Sequence, residues 1–264
     1  MEKISSLQNP RIKNIIKLSS KSKERKAQGL FIFEGARELS LAISSSYEFD
    51  SVFICPDLFE KTDYPEVLGQ LDQQLVFEVT IPVFQKIAYR ENSDGILVVA
   101  KSKDINMESL SLPTNPFIIV LEAVEKPGNL GAVLRTADAA QVDAVIVCDP
   151  GTDLYNPNTI RSSVGCFFTV PIAVCSSEEA LKFLRDRQIK SFAAELQASQ
   201  WYHETDFREP SAIVMGTEAD GLTDFWLSNA DNRIKIPMRG AIDSLNVSVS
   251  TAVITFEAMR QRGF

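Results

Sequence analysis

The sequence predicts an α/β protein of two units, a smaller one at the N-terminus and a larger one at the C-terminus built on a mostly parallel sheet. Three observations predict this class. Short apolar segments of strand length alternate with segments of helical periodicity along the 264 residues. In the C-terminal part the apolar segments are continuous, which is typical of parallel strands covered by helices on both faces. A polar stretch of weak periodicity, residues 101–115, predicts a linker between the two parts.

The N-terminal unit is predicted over residues 1–100. Asn9-Pro10, followed by Ile12 and Ile15 at helical spacing, indicates the start of a helix. A further helix is predicted after the first strand. Segments rich in β-branched and aromatic residues indicate four short strands around it. The strands are predicted at 31–33, 51–55, 75–79 and 96–100, and the second helix at 36–44.

The C-terminal unit is predicted over residues 116–264. A helix is expected from about Asn129 to Ala140, between two continuous apolar segments. Apolar residues at helical spacing from Val247 to Arg262 predict the final helix. The strands are predicted at 117–121, 144–148, 191–194, 212–215 and 233–236.

Composition excludes several classes of protein. No apolar segment is long enough for a membrane helix, and the N-terminus is polar and basic, so a cytoplasmic protein is expected. The four cysteines form no CxxC pair, so neither a zinc ribbon nor a dithiol centre is predicted. The single histidine, His203, excludes a His-rich metal site, and no GxSxG motif accompanies it. We therefore expect no metal and a surface position for His203.

Charge is distributed unevenly along the chain. The net charge is −8, which is unusual for a protein that binds polyanions. Residues 1–37, however, hold nine basic and three acidic residues, a net charge of +6 that leaves −14 for the rest. A basic end on an acidic body predicts a segment that docks on a polyanion, and a solvated pair of surface helices is the alternative.

The first of three loop motifs in the C-terminal unit runs from Glu125 to Thr136. Pro, Gly and Asn end a strand and open a helix there, so backbone N–H groups face a potential anion. Arg135 follows Asn129 by six residues, and its guanidinium suits a phosphate or a carboxylate. Alternatively, Asn129 only caps the helix and Arg135 pairs with an acid.

The second motif runs from Met215 to Leu222. Its Gly-x4-Gly spacing lacks the lysine of a phosphate-binding P-loop, and no GxGxxG dinucleotide motif occurs in the chain. A nucleotide-dependent oxidoreductase or kinase is therefore disfavoured. The two glycines around Glu218 indicate a close approach of the backbone to another group, and a plain turn is the alternative.

The third motif runs from Ile236 to Ala252. A strand ends near Pro237, a loop passes through Gly240, and Ser244-Leu245-Asn246 leads into the final helix. Ser244 or Asn246 could serve only to cap that helix. Each motif by itself is therefore compatible with an ordinary structural role.

Together the three loops closely resemble the motifs of the SpoU/TrmH family of RNA 2′-O-ribose methyltransferases, in the SPOUT class. They occur in the family's order, and the resemblance covers residues 116–264. Residues 1–100 resemble that family's substrate-binding domain less specifically. The matching residues are Asn129-x-Gly-Ala-x-x-Arg135, Gly216-x-Glu218-x-x-Gly221-Leu222 and Ile236-Pro-Met-x-Gly240-x-x-x-Ser244-Leu-Asn246-Val-Ser.

The resemblance implies an α/β fold with a deep trefoil knot, S-adenosylmethionine bound within the knot, and a homodimer. The reaction it implies transfers a methyl group from the sulfonium to a ribose 2′-hydroxyl. The residues that correspond to the cofactor site are Met215, Gly216, Ile236, Met238 and Leu245.

The resemblance also implies that Arg135 is the catalytic residue. We expect Arg135 to bind the phosphate beside the target ribose rather than to act as a base, because a guanidinium rarely loses its proton. The residues expected to orient Arg135 and the ribose are Asn129, Glu218, Ser244 and Asn246.

The substrate implied is RNA, and rRNA is favoured over tRNA because the N-terminal domain resembles those of rRNA-directed members. The alternative from another class is a non-catalytic RNA-binding or ribosome-assembly protein on the same scaffold. The complete set of polar motif residues argues against that alternative, since a scaffold would not need all of them.

Overall fold

The computed structural model describes residues 1–59, 68–90 and 93–264. By their contacts they form two compact units. The first comprises Met1–Lys103 and Asp153–Thr169, and the second comprises Asp104–Thr152 and Val170–Phe264. The predicted α/β class is confirmed, with a mostly parallel sheet in the second unit. No described helix is long and apolar enough to cross a membrane.

Strands and helices alternate along most of the chain. The strands are β1 (Glu2–Ile4), β2 (Leu30–Glu34), β3 (Phe49–Ile54), β4 (Val76–Val79), β5 (Ile96–Lys101), β6 (Phe117–Glu122), β7 (Ala144–Cys148), β8 (Ile172–Cys175), β9 (Lys190–Ala194), β10 (Gln200–Trp201), β11 (Ser211–Met215) and β12 (Asn232–Lys235). The helices are α1 (Pro10–Ser20), α2 (Ser22–Gln28), α3 (Ala36–Ser44), α4 (Ile81–Ile87), α5 (Pro127–Ala139), α6 (Pro157–Ser163), α7 (Cys166–Thr169), α8 (Ser177–Asp186), α9 (Asp224–Asn229) and α10 (Val247–Arg262).

The first unit is built on a mixed five-stranded sheet of order β1-β4-β3-β5-β2. β4 pairs in parallel with β1 and β3, whereas β5 pairs antiparallel with β2 and β3. Helix α1 begins after Asn9, whose side chain accepts a hydrogen bond from the backbone N–H of Arg11 at 2.9 Å. Its residues Ile12, Ile15 and Leu18 are buried in the core of this unit, which explains their spacing in the sequence.

Residues 153–169 lie in the range predicted for the C-terminal unit but belong by their contacts to the first unit. Their aromatic side chains pack on Phe31 of β2, with ring centroids 4.5 Å away for Tyr155 and 6.4 Å away for Phe168. The buried Arg25 of α2 donates to the Asp153 carboxylate at 2.7 Å and to the Leu18 carbonyl at 2.6 Å. Arg25 is therefore held inside the unit, although it is one of the nine basic residues from which a docking segment is predicted.

The second unit is built on a seven-stranded sheet of order β10-β12-β9-β11-β6-β7-β8, and all its strand pairs are parallel. The central strand β6 is buried along its whole length. Helices α8 and α9 cover the face that carries Ile118, Val120 and Ile146. Helices α5 and α10 pack against each other and against β7 and β11. Helices on both faces explain why these strands are continuously apolar.

Candidate active site

The three loop motifs follow the carboxyl ends of β6, β11 and β12. Because these strands are parallel members of one sheet, their carboxyl ends lie at the same edge. In α/β proteins that edge is where ligands bind, in the crevice between the loops. The topology thus brings together three segments that are up to about 120 residues apart in the sequence.

The loop after β11 is a tight hairpin. The Thr217 N–H donates to the Gly221 carbonyl at 2.9 Å, and the Asp220 N–H donates to the Thr217 hydroxyl at 3.0 Å. A Cβ on Gly216 would collide with the backbone of Gly221, and Gly221 itself has φ +71°, in the left-handed region. Gly216 is therefore required by the close approach of the backbone that the sequence predicts, and Gly221 by its left-handed backbone conformation.

Four side chains of the three motifs form a hydrogen-bonded group that we call the polar cluster, namely Lys126, Asn129, Glu218 and Asn246. The Glu218 carboxylate accepts hydrogen bonds from the Lys126 ammonium and from the Asn246 amide. The Asn246 amide nitrogen also donates to the Asn129 Oδ1 at 3.2 Å. The hydrogen bond from Lys126 holds the pKa of Glu218 below its ordinary value, with a smaller contribution from Asn129. Glu218 is therefore an anion at neutral pH and orients the two amides as an acceptor.

Asn246 both caps α10 and joins the polar cluster. Its Oδ1 accepts from the Ser248 N–H at 2.9 Å and from the Ser248 hydroxyl at 2.6 Å. Because the oxygen is used by the cap, the amide nitrogen is left to donate to Glu218 and Asn129. Asn246 is therefore a helix cap, as the capping alternative predicts, and its amide nitrogen also belongs to the polar cluster.

A cavity of about 490 Å³ lies beside the polar cluster, within the range of small-molecule sites. Glu218 belongs both to the polar cluster and to the cavity wall. The wall is formed mainly by the loops after β9, β11 and β12 and by the first turns of α10. All five residues predicted for the cofactor site line this cavity, namely Met215, Gly216, Ile236, Met238 and Leu245.

Two predicted residues lie outside the polar cluster. Ser244 lines the cavity, and its hydroxyl donates to Asp243 at 3.2 Å. Arg135 is exposed on α5, does not line the cavity, and makes no hydrogen bond or ion pair with any described residue. The alternative that Arg135 pairs with an acid is therefore not supported. Asn129 is not the helix cap either, since α5 begins at Pro127 with Lys126 in the cap position.

Sequence reasoning missed two parts of the site. Lys126 stands in the first motif, but nothing in its sequence context separates it from an ordinary surface lysine. The residues after β9, such as Glu195 and Gln197, line the cavity without any sequence signal. Among the residues that the structure describes, no group of three His, Cys, Asp or Glu side chains is arranged to hold a metal ion.

Both parts of the chain match known protein families. The profile of the SpoU rRNA Methylase family matches residues 116–256, just over half of the chain. The profile of the MRM3-like substrate binding domain matches residues 9–98. The chain is 28% identical over 256 residues to the 23S rRNA (guanosine(2553)-2′-O)-methyltransferase RlmP of Bacillus subtilis, covering 97% of this chain and 98% of that protein.

Solved structures of methyltransferases also resemble nearly the whole chain. A crystal structure of an RNA 2′-O ribose methyltransferase is 37% identical, with a TM-score of 0.84, over 99% of this chain and 100% of its own. An AdoMet-bound rRNA methyltransferase from Sinorhizobium meliloti is 27% identical, with a TM-score of 0.88, over 98% of this chain and 97% of its own. The knotted α/β fold with an additional N-terminal domain, which the resemblance implies, is confirmed by these likenesses. The chain belongs to the SpoU rRNA methylase family.

Proposed function

We propose that this protein is an S-adenosylmethionine-dependent methyltransferase that modifies a ribose 2′-hydroxyl in rRNA. One observation carries this proposal. Three side chains from separate segments of the chain, those of Asn129, Glu218 and Asn246, are hydrogen-bonded together beside a cavity of ligand size. An arrangement of polar groups from distant segments is difficult to explain by helix capping alone, because only Asn246 acts as a cap.

The cavity suits the proposed cofactor. Met215, Ile236 and Leu245 provide apolar surface for an adenine ring, and Gly216, which carries no side chain, also lines the cavity. Backbone N–H and C=O groups can recognise the edge of adenine without charged side chains. When bound, S-adenosylmethionine supplies the methyl group carried on its sulfonium.

The other side of the site is proposed to hold the target nucleotide. Arg135 has no partner among the described residues, so its guanidinium is available for an RNA phosphate. A positive charge beside the ribose favours the ionised form of the attacking hydroxyl. The ribose and Arg135 are proposed to be oriented by Asn129, Glu218, Ser244 and Asn246. Transfer of the methyl group requires such positioning, because the 2′-oxygen must attack in line with the bond from the methyl group to the sulfonium.

The basic surface of α1 and α2 is proposed to dock the RNA. Two of the basic residues near the N-terminus are already paired, Lys3 with Glu78 at 2.6 Å and Arg25 with Asp153 at 2.7 Å. The remaining basic residues on and between these two helices are exposed and suited to contact phosphates. They are Arg11, Lys13, Lys17, Lys21, Lys23 and Lys26.

rRNA is the favoured substrate because several relatives that match nearly the whole chain are named for it. These include RlmP of B. subtilis and the S. meliloti enzyme. A tRNA substrate, or a non-catalytic role in RNA binding or ribosome assembly, would give a different result in the experiment below.

The test uses the purified full chain. Calorimetry should detect binding of S-adenosylmethionine, and rRNA from cells that lack the gene should gain 2′-O-methyl groups when incubated with protein and cofactor. Methylation of tRNA and not of rRNA would contradict the proposed substrate and show that the enzyme acts on tRNA. Absence of cofactor binding would contradict the enzyme proposal and support the non-catalytic alternative.

We further propose that the chain is a homodimer that associates through α10. This helix exposes apolar side chains, with Val249 47% and Phe256 41% exposed, and Phe264 beyond its end is 78% exposed. Val249 and Phe256 are seven residues apart and lie on the same face of the helix. Light scattering should give a mass of twice 29.3 kDa, and Phe256→Glu should reduce it to that of one chain. A wild-type protein of monomeric mass would refute the proposal.

A further inference from the structure

Glu122, the last residue of β6, is a carboxylate with no role in the site described above. It is only 4% exposed, and a buried carboxylate must be satisfied by hydrogen-bond donors. One residue provides the two closest donors. The Thr223 N–H donates to Glu122 Oε2 at 2.8 Å, and the Thr223 hydroxyl donates to Glu122 Oε1 at 2.6 Å.

Thr223 occupies the N-cap position of α9 but does not cap it. A threonine in that position ordinarily accepts a hydrogen bond from a backbone N–H of its own helix. In α9, whose residues are all described, the Thr223 side chain makes no such bond. Its hydroxyl is turned to Glu122 instead. The threonine therefore binds its loop to strand β6 rather than stabilising the helix that follows.

The two ends of the loop after β11 meet at the same place on β6. Where the loop begins, Met215 is the register partner of Leu121, the neighbour of Glu122. Where the loop ends, Thr223 is hydrogen-bonded to Glu122 itself. Both ends of the loop are therefore attached to β6 at or next to Glu122. The loop between them carries Gly216 and Glu218, which line the cavity.

Glu122 also belongs to a hydrogen-bond network that includes Ser177, Asp149 and Trp226. The Ser177 oxygen lies 3.4 Å from Glu122 Oε1, and its hydroxyl donates to Asp149 at 2.8 Å. The same oxygen accepts from the indole Nε1 of Trp226 at 3.1 Å, and Trp226 is fully buried. The ends of β6 and β7 and the starts of α8 and α9 are thereby joined, which limits movement of the Glu122 side chain.

We propose that Glu122 is a positioning residue for the cofactor site, acting through Thr223. It holds the loop of residues 216–222 in the position on the sheet that places the cavity wall and presents Glu218 to Asn246. The loop has its own internal hydrogen bonds, but these set its shape and not its position on the sheet. This inference rests on the proposed function, because it concerns the affinity for S-adenosylmethionine.

The test compares substitutions of Thr223 in the full chain. Thr223→Val removes the hydroxyl at nearly constant size and should raise the Kd for S-adenosylmethionine about tenfold, which corresponds to about 1.4 kcal/mol. Thr223→Ser keeps the hydroxyl and should restore the affinity of the wild type. Glu122→Gln, which replaces one accepting oxygen with a donor, should weaken binding like Thr223→Val.

Thr205→Val is the matched control. Thr205 is also buried, at 3% exposed, and its hydroxyl donates to the Trp201 carbonyl at 3.1 Å, outside the loop. Its substitution should lower Tm without changing the Kd. All affinities are measured by calorimetry at a temperature where circular dichroism shows each variant to be folded.

Two results would overturn the inference, and they are distinguishable. If the wild type binds S-adenosylmethionine and Thr223→Val binds it within twofold while losing Tm like Thr205→Val, Glu122 has only a structural role. If the wild type itself does not bind S-adenosylmethionine, the proposed function fails and this inference fails with it.

Discussion

Replacing Arg135 with alanine is expected to lower the rate of methylation by about 100- to 1,000-fold, the usual effect of removing one preorganised donor at a reacting centre. The Kd for S-adenosylmethionine should not change, because Arg135 does not line the cavity. The Tm should also stay nearly constant, since an exposed side chain without partners among the described residues contributes little to stability. Single-turnover kinetics with saturating RNA and cofactor would measure the rate.

Arg135→Lys separates the charge of this residue from its shape. Lysine keeps the positive charge but lacks the planar fork that binds phosphate through two hydrogen bonds, so we expect a loss of at least tenfold. Turnover close to that of the wild type would show that the fork geometry is unimportant, and the assignment of Arg135 would fail. Arg208→Ala, at a side chain 69% exposed and paired with Asp206, is the control and should leave the rate unchanged.

Neutralising the basic surface of α1 and α2 is expected to weaken RNA binding about 10- to 100-fold near 0.1 M salt, because phosphate contacts dominate such affinities. The variant is a triple substitution to glutamine at Lys13, Lys17 and Lys21, all of them exposed. The slope of log Kd against log salt should fall by about 2, at roughly 0.7 for each contact to a single strand. Filter binding over a range of salt concentrations gives both quantities.

The control for this variant removes the same charge elsewhere. It is a triple substitution to glutamine at Lys101, Lys182 and Lys190, which are also exposed. Equal losses of affinity in the two variants would show that only the net charge matters and would refute a docking surface on α1 and α2. Binding of S-adenosylmethionine should be the same in both, since none of these lysines lines the cavity.

Substitution is preferable to deletion of residues 1–100 for locating RNA binding. Such a deletion would leave residues 153–169 without the sheet on which Tyr155 and Phe168 pack. The exposed aromatic surface would promote aggregation, and a loss of activity would then have two explanations. Point substitutions on the exposed side of α1 and α2 leave that packing intact.

Most central strands could be predicted from the sequence because a strand buried on both faces is a continuous apolar segment. The apolar segments at 117–121, 144–148 and 212–215 lie within β6, β7 and β11. The strands that were missed are short, from two to four residues in β1, β8 and β10. A segment of two to four residues is too short to show the alternation by which a strand is recognised in a sequence. These segments are strands because each pairs with an adjacent strand of its sheet.

The sequence by itself determined the fold class, the order of the three loop motifs and five of the residues that line the cavity. These depend on local composition and spacing, which the chain carries in consecutive residues. Only the tertiary structure decided that Asn246 joins Glu218 and Asn129, that Lys126 pairs with Glu218 and that Thr223 turns to Glu122. It also decided that residues 153–169 join the first unit. Each of these contacts links residues far apart in the chain, so the packing of parallel strands brings them together and no local pattern records it.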